Sequence, residues 1–216
     1  MSVSKVEKFE PPPTDQPLAD RPPADSPLAE RLVAVALELL AEEGIEALTL
    51  RSVARRAGVS HGAPARHFGG LSDLRAEVAA TGFRMLSEAI EKSDAAIPPA
   101  EAGSIGRLKA AGRAYVQCAL ANPGLFALMF RTGDLDSQNE SLARDSGAAF
   151  ERLLDAVRGA QAEGWRSGSD ARSLAGWLWS CVHGLATLWA GGAYQGAIPD
   201  VSLDEALETI LKWTAD

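Results

Sequence analysis

From Leu28 onward, apolar residues recur every three to four positions with polar residues between them. Leu32, Val35, Ala36, Leu39 and Leu40 fall on one side of a 3.6-residue wheel and Gly44 supplies a stop, so the pattern predicts an amphipathic helix. Ser26-Pro27 marks its start, pairing a capping residue with the residue best suited to a first helical position. After Thr49, a second cap, the spacing repeats in Leu50, Val53, Ala54 and Ala57, and Gly58 closes that stripe. Ser60 can cap a third helix running to about Phe68. Two short helices joined by a tight glycine turn form a helix-turn-helix pattern.

Beyond Ser72 every segment reads as helix. Leu74, Val78, Phe83 and Leu86 define a long fourth helix, closed after Ile97-Pro98-Pro99. Ile105, Leu108, Tyr115 and Ala119 define a fifth, ended by Asn122-Pro123, and the short apolar piece "PGLFALMF" follows. Phe150, Leu153, Leu154 and Val157 mark another long helix stopped near Gly164. An apolar helix around Trp177 to Trp189 and the amphipathic "SLDEALETILKWTA" complete the chain. No strand-like alternation or internal repeat stands out, so an all-α fold of about nine helices is expected. Residues 1–27 hold seven of the twelve prolines, with few large apolar side chains and more acids than bases. Such a segment buries too little surface to offset its ordering entropy and reads as a disordered arm. The expected organisation is an arm at 1–27, a helix-turn-helix domain at 28–75, and a helical-bundle domain for ligand binding and dimerisation at 76–216.

Composition adds bounds. With 216 residues, 46% of them hydrophobic and 23% charged, the chain has the make-up of a globular protein of one large or two small domains. It is long enough to bury a core without metals or disulfides. Cys118 and Cys181 stand far apart outside any CxxC motif and read as small buried hydrophobes in a reducing cytosol, with a redox-sensing pair as the alternative. No signal peptide is apparent. The apolar run Leu174 to Ala190 is interrupted by Ser180, His183, Gly184 and Thr187, which suits a buried helix better than a membrane span. A cytoplasmic protein with no membrane partner is expected.

Charge singles out one segment. The chain carries net charge −8, yet the eighteen residues "RSVARRAGVSHGAPARHF" hold four arginines, two histidines and no acid. In a helix-turn-helix the second helix enters the DNA major groove while the first lies across the backbone. His61, Gly62, Ala65 and Arg66 are expected to face away from the core, and Pro64 and Phe68 inward. Arg66 can donate two hydrogen bonds to guanine, and His61 can reach a base or phosphate. Gly62 and Ala63 would let the backbone approach. Arg51, Arg55 and Arg56 supply charge for phosphates, which dominate affinity. The candidate DNA-contacting set is Thr49, Arg51, Arg55, Arg56, Ser60, His61, Gly62, Ala63, Arg66 and His67.

The stretch "LTLRSVARRAGVSHGAPARHF", followed by "LSDLRAEVAATGF", resembles the tetracycline-repressor-type (TetR) family of bacterial transcription regulators. "NPGLFALMF" and "WLWSCVHGLATL" resemble a C-terminal domain named for its Trp-His-Gly signature, here Trp179, His183 and Gly184. The resemblance runs from about Leu28 to the C-terminus. It implies a three-helix DNA-binding domain and a helical domain that dimerises and binds a small effector, with repression of a promoter relieved by that effector. Double-stranded operator DNA, an effector of unknown identity and a second copy of the chain are the partners implied. The chain departs from the family at two positions. Ala65 stands where an aromatic, most often tyrosine, touches a phosphate, and Leu71 stands where a lysine opens the fourth helix. Both phosphate contacts are lost, and of the two only the lysine's is cationic, so the salt slope falls by about one unit, at roughly 0.9 per neutralised phosphate.

In the second domain, Tyr115, Phe126, Met129, Phe130, Trp179 and His183 form the candidate ligand-binding set: a few polar groups among apolar walls. Ordinary core packing is the competing reading of each. Trp177, Leu178, Leu185, Leu188, Leu207, Ile210, Leu211 and Trp213 read as a dimer face across a two-fold axis. An enzyme is disfavoured, since HExxH, GxSxG and a phosphate-binding glycine loop are missing. His61, His67 and His183 lack metal-ligand spacing, so neither a metal nor a cofactor is expected. Glu42-Glu43 reads as a solvated face. A helical interaction or sensor protein with weakened or lost DNA binding is the alternative.

Overall fold

The computed structural model describes residues 28–215, and the proline-rich arm at 1–27 lies outside them. Among the described residues the chain forms nine α-helices and no strand. They are α1 (Leu28–Glu43), α2 (Leu50–Arg56), α3 (Leu71–Ala95), α4 (Ser104–Ala121), α5 (Pro123–Met129), α6 (Glu140–Ala162), α7 (Ala171–Ala190), α8 (Ala193–Ala197) and α9 (Leu203–Ala215). Among the described residues two compact units emerge, one of residues 28–82 with 121–145 and one of residues 83–120 with 146–215. The all-α fold read from periodicity is the observed one.

In the first unit α1 packs on α2 and α5. It buries Leu32, Ala36, Leu39 and Leu40, the stripe its sequence spacing marks. Gly44 stops it with a left-handed φ of 80° while donating to the Leu40 carbonyl at 3.2 Å. Thr49 caps α2 reciprocally: the Ser52 N–H donates to Thr49 Oγ1 at 3.1 Å, and the Thr49 N–H donates to Ser52 Oγ at 3.0 Å. At the other end Gly58 (φ 68°) donates to the Arg55 carbonyl, and Val59 donates to the Ala54 carbonyl at 3.0 Å. That pair of bonds satisfies two carbonyls the helix end would leave bare.

The expected third helix, Ser60 to Phe68, is a correction. Only Pro64–Arg66 is helical, as a single 3-10 turn. Pro64 has no N–H to return to the Ser60 carbonyl, so the α-helical ladder cannot run through it. Ala63 takes that carbonyl instead at 2.9 Å, and Arg66 and His67 bond back three residues to Ala63 and Pro64. Phe68 N–H reaches the Pro64 carbonyl at 2.9 Å and ends the turn. α8 has no counterpart in the periodicity; it follows the glycine pair Gly191-Gly192, where Gly192 turns left-handed.

In the second unit a core of Leu108, Leu154, Val157, Trp165, Leu174 and Leu178 is joined by Ile105, Phe150 and Leu153. Gly164 (φ 100°) ends α6 as Gly58 ends α2, with the Trp165 N–H on the Ala160 carbonyl at 3.0 Å. Asp170 caps α7 through the Ser173 N–H at 2.8 Å. Gly112 on α4 leaves room for α9, since a Cβ there would stand 2.8 Å from Leu211 Cδ2. Leu178, Leu185, Leu207 and Leu211 are therefore buried within the protomer, a correction to their reading as dimer face. Trp177 and Leu188 are exposed, at 39% and 50%.

The two glycines of the helix-turn-helix differ in what they require. Gly58→Ala forces a Cβ into left-handed backbone and is expected to lower stability by about 1 kcal/mol. Gly62 has no such φ and no neighbour within 4 Å, so Gly62→Ala should leave the melting temperature essentially unchanged. Thermal denaturation of both variants checks the contrast.

Candidate nucleic-acid interface and effector site

The turn after α2 presents His61, Gly62, Ala65, Arg66 and His67 to solvent, while Pro64 and Phe68 are buried. The exposure pattern therefore matches the one expected, although the segment is not an α-helix. Ala63 is buried, so its side chain serves packing. Thr49, Arg51 and Arg55 are exposed along α2, and Ser60 joins them at the turn. No ion pair of Arg51, Arg55 or Arg66 occurs among the described residues.

Arg56 is placed differently. Its guanidinium donates to Glu42 Oε2 and lies 3.4 Å from Glu43 Oε1, tying the end of α1 to the end of α2. The hydrogen bond to Glu42, with the acids' charge, holds this arginine above its ordinary pKa. Glu42 and Glu43, read as a solvated pair, are its partners. No helical period links positions thirteen and fourteen residues apart, so spacing carries no sign of the contact. Arg31, also absent from the candidate set, donates to the Ala57 carbonyl at 3.5 Å, at the C-terminal end of α2 where the helix dipole favours a cation.

In the second unit Tyr115, Trp179 and His183 meet. Trp179 Nε1 donates to Tyr115 Oη at 3.1 Å, and that oxygen lies 2.8 Å from His183 Nδ1. An indole N–H can only donate, so the phenol oxygen accepts it, and the phenol and the imidazole Nδ1 share the second hydrogen bond. Desolvation holds His183 below its usual pKa and pushes the Tyr115 phenol well up. Both rings of the pair, and Phe150 against Trp179, meet edge to face at 6.1–6.3 Å. Arg172 stands 5.6 Å above Phe150.

The other three candidates belong to the first unit. Phe126 and Phe130 meet edge to face at 5.1 Å. Met129 packs on Gly82, where a Cβ would come within 2.6 Å of its sulfur. The candidate ligand set thus divides into a hydrogen-bonded trio in one unit and an apolar trio in the other. No group of three His, Cys, Asp or Glu able to hold a metal occurs among the described residues. No described helix is long and apolar enough to cross a membrane.

The partial burial of His183 has a consequence that can be measured. Its pKa is lower folded than in the unfolded chain, where it is about 6.5. The unfolded chain therefore takes up the proton first as pH falls, and stability declines from about pH 6.5 downward until the folded imidazole also protonates. Thermal denaturation between pH 7.5 and 5 should show His183→Gln losing less stability than the native protein over that window. Equal slopes would reject the lowered pKa of the half-buried imidazole.

The family model "Bacterial regulatory proteins, tetR family" matches residues 32–78. A second, "Tetracyclin repressor-like, C-terminal domain", matches residues 108–212. No curated protein matches the chain. Among solved structures, a protein of unknown function from Rhodococcus sp. RHA1 is similar at 30% identity and a TM-score of 0.75, over 91% of this chain and 100% of that one. The TetR family transcriptional regulator PfmR from Thermus thermophilus is similar at 19% identity and a TM-score of 0.56, over 85% and 94%. FadR from Bacillus subtilis, solved with stearoyl-CoA, is similar at 16% identity and a TM-score of 0.60, over 87% and 97%. At those two identities the likeness is one of fold. The two family models cover the basic turn and most of the second unit's helices, and the chain belongs to the TetR family of bacterial regulatory proteins.

Proposed function

We propose that this TetR-family regulator is a cytoplasmic repressor whose basic turn reads an operator and whose second unit binds the small molecule that releases it. The observation that carries the DNA half is the exposed Arg66 and His61 on a turn anchored by buried Pro64 and Phe68, beside the cations Arg51 and Arg55, which form no ion pair among the described residues. Arg66 and His61 take base edges, and Arg51 and Arg55 take phosphates. Thr49, Ser60, Gly62 and His67 complete the face. Arg56, held by Glu42 and Glu43, acts by fixing α2 on α1.

The effector half rests on the Tyr115–Trp179–His183 trio, which sets neutral hydrogen-bonding groups beside aromatic rings. Phe126, Met129 and Phe130 are proposed as apolar contacts. An effector with a large apolar body suits the aromatic rings of the second unit's trio, the first unit's trio being a separate apolar set, and the stearoyl-CoA found with a protein of the same fold is one such body. We read the Tyr115–His183 pair as a recognition pair and assign it no acid–base chemistry. The chain acts as a homodimer, with exposed Trp177 and Leu188 on α7 at the contact, because two recognition turns about 34 Å apart read successive turns of one duplex face.

The test uses two duplexes, the intergenic DNA upstream of the protein's own coding sequence and a random sequence. Arg66→Ala and His61→Ala should weaken the upstream duplex more than the random one, a good arginine–guanine pair discriminating by about 1–3 kcal/mol. Arg51→Ala should weaken both alike, since a phosphate carries no sequence information directly. Equal losses on both duplexes for all three variants would overturn the assignment.

A second measurement addresses the exposed Ala65 and the α3-opening Leu71. Ala65→Tyr with Leu71→Lys should tighten binding to both duplexes and steepen the salt slope by about one unit, because only the lysine displaces a counterion. Unchanged affinity across salt would show that these positions do not face phosphates.

A further inference from the structure

Asn139 lies outside every site described above, yet each polar atom of its side chain is in use. Its Oδ1 accepts the Leu142 N–H at 2.8 Å and so caps the start of α6. Its Nδ2 donates to Asp73 Oδ1 at 2.7 Å and to Glu77 Oε1 at 2.9 Å, both on α3. The second oxygen of Asp73 accepts the Gly69 N–H at 2.8 Å. Gly69 directly follows Phe68, the buried anchor of the recognition turn. The Asp136 N–H donates to the Ser72 carbonyl at 3.2 Å, tying the same two segments a second time. All of these residues belong to the first unit.

We propose that Asn139 is a positioning residue for DNA recognition, its carboxamide relaying the placement of the first turn of α6 through Asp73 and Gly69 to the recognition turn. Only a carboxamide accepts at one atom and donates twice at the other. Aspartate in its place would cap α6 and donate nothing; alanine would do neither. The charged groups around it are Asp73, Glu77 and Arg75 on α3, Asp134 and Asp136 before α6, and Arg144, which senses Glu77 and Glu140 beside its partner Asp145. α6 belongs to the first unit up to Asp145 and to the second from Ser146. A shift of α6 that moves its capped end acts directly on the residue holding Gly69. The inference rests on the DNA-binding reading of the turn.

Asn139→Asp tests it. The variant keeps the cap, loses both donors and sets three carboxylates together. Like-charge crowding raises the pKa of one of them, so a proton gained at lower pH restores a donor. Two readouts follow from pH 8 to 5.5, each relative to the native protein at the same pH. The first is amide hydrogen exchange over residues 60–70, which needs no DNA. The second is affinity for the upstream duplex. At pH 8 the variant should exchange faster at Gly69 and bind about fivefold more weakly, a coupling ordinary for residues in one hydrogen-bond network. Both gaps should close toward pH 5.5, whereas Asn139→Ala should show gaps that stay open. Asp73→Ala, which leaves the α6 cap in place, should reproduce the loss, and combining it with Asn139→Ala should add little.

Native exchange and affinity in Asn139→Asp at pH 8 would overturn the relay, as would pH-independent gaps with additive Asp73 and Asn139 effects. If Asn139→Asp melts below the working temperature, the Asp73→Ala arm and the double variant decide alone. If the native protein binds neither duplex while exchange follows the expected pattern, the DNA-binding reading fails and the relay stands.

Discussion

After Arg56 the chain must reverse within a few residues for Pro64 and Phe68 to be buried, and the left-handed backbone at Gly58 makes that reversal. Its φ of 68° lets Gly58 and Val59 return hydrogen bonds to the last carbonyls of α2. α2 has only seven residues, too few to be stable on propensity alone, so its caps and its buried Val53 and Ala54 hold it. Thr49 and Ser52 close one end, Gly58 closes the other, and Arg31 adds a cation to the Ala57 carbonyl. Pro64 then denies the next segment an α-helical ladder and confines it to one tight turn. His61 and Arg66 are presented from that turn, so their direction depends on buried Pro64 and Phe68 rather than on a helix axis.

The electrostatics of this face follow from which arginines are paired. In a chain of net charge −8, an acid-free segment beside α1 still meets acids in space. Glu42 and Glu43 take Arg56 and leave Arg51, Arg55 and Arg66 for other anions. An exposed ion pair of this kind contributes about 0–1 kcal/mol to stability. Its larger consequence is subtraction, since a paired arginine releases fewer counterions at a phosphate. With Ala65 and Leu71 also offering no charge, the face relies on few cations, and its affinity should depend on base contacts more than a fully basic face would.

What could be read from the residues was local. The cap at Thr49, the stops at Gly44, Gly58 and Gly164, and the stripe of α1 each express chemistry within a turn or two of one residue, and each appears where spacing placed it. What could not be read was pairwise in three dimensions. Leucines at 178, 185, 207 and 211 read alike as apolar positions whether they face a partner or their own core, and only their burial within the folded protomer reveals the latter. The six candidate ligand residues share a chemistry but divide between units, because aromatic composition does not say which helix a side chain meets. Pro64 is a local signal with a larger reach: its missing donor is visible in the sequence, and it denies the whole segment an α-helical ladder.

The two ends of the proposed response need not be linked by large forces. Allosteric coupling of 5- to 150-fold amounts to about 1–3 kcal/mol, the net worth of one to a few hydrogen bonds. An effector changes operator affinity only through interactions it makes differently in the two states, whatever its total affinity. The Tyr115–His183 bond offers one such difference. It is a single hydrogen bond between phenol and imidazole, so a group that competes for either atom breaks it. Interiors packed closely enough to bury Leu154 and Val157 completely do not deform continuously; they move between discrete arrangements. A helix such as α6, capped at one end by Asn139 and closed at the other by Gly164, would carry such a step as a unit rather than absorb it.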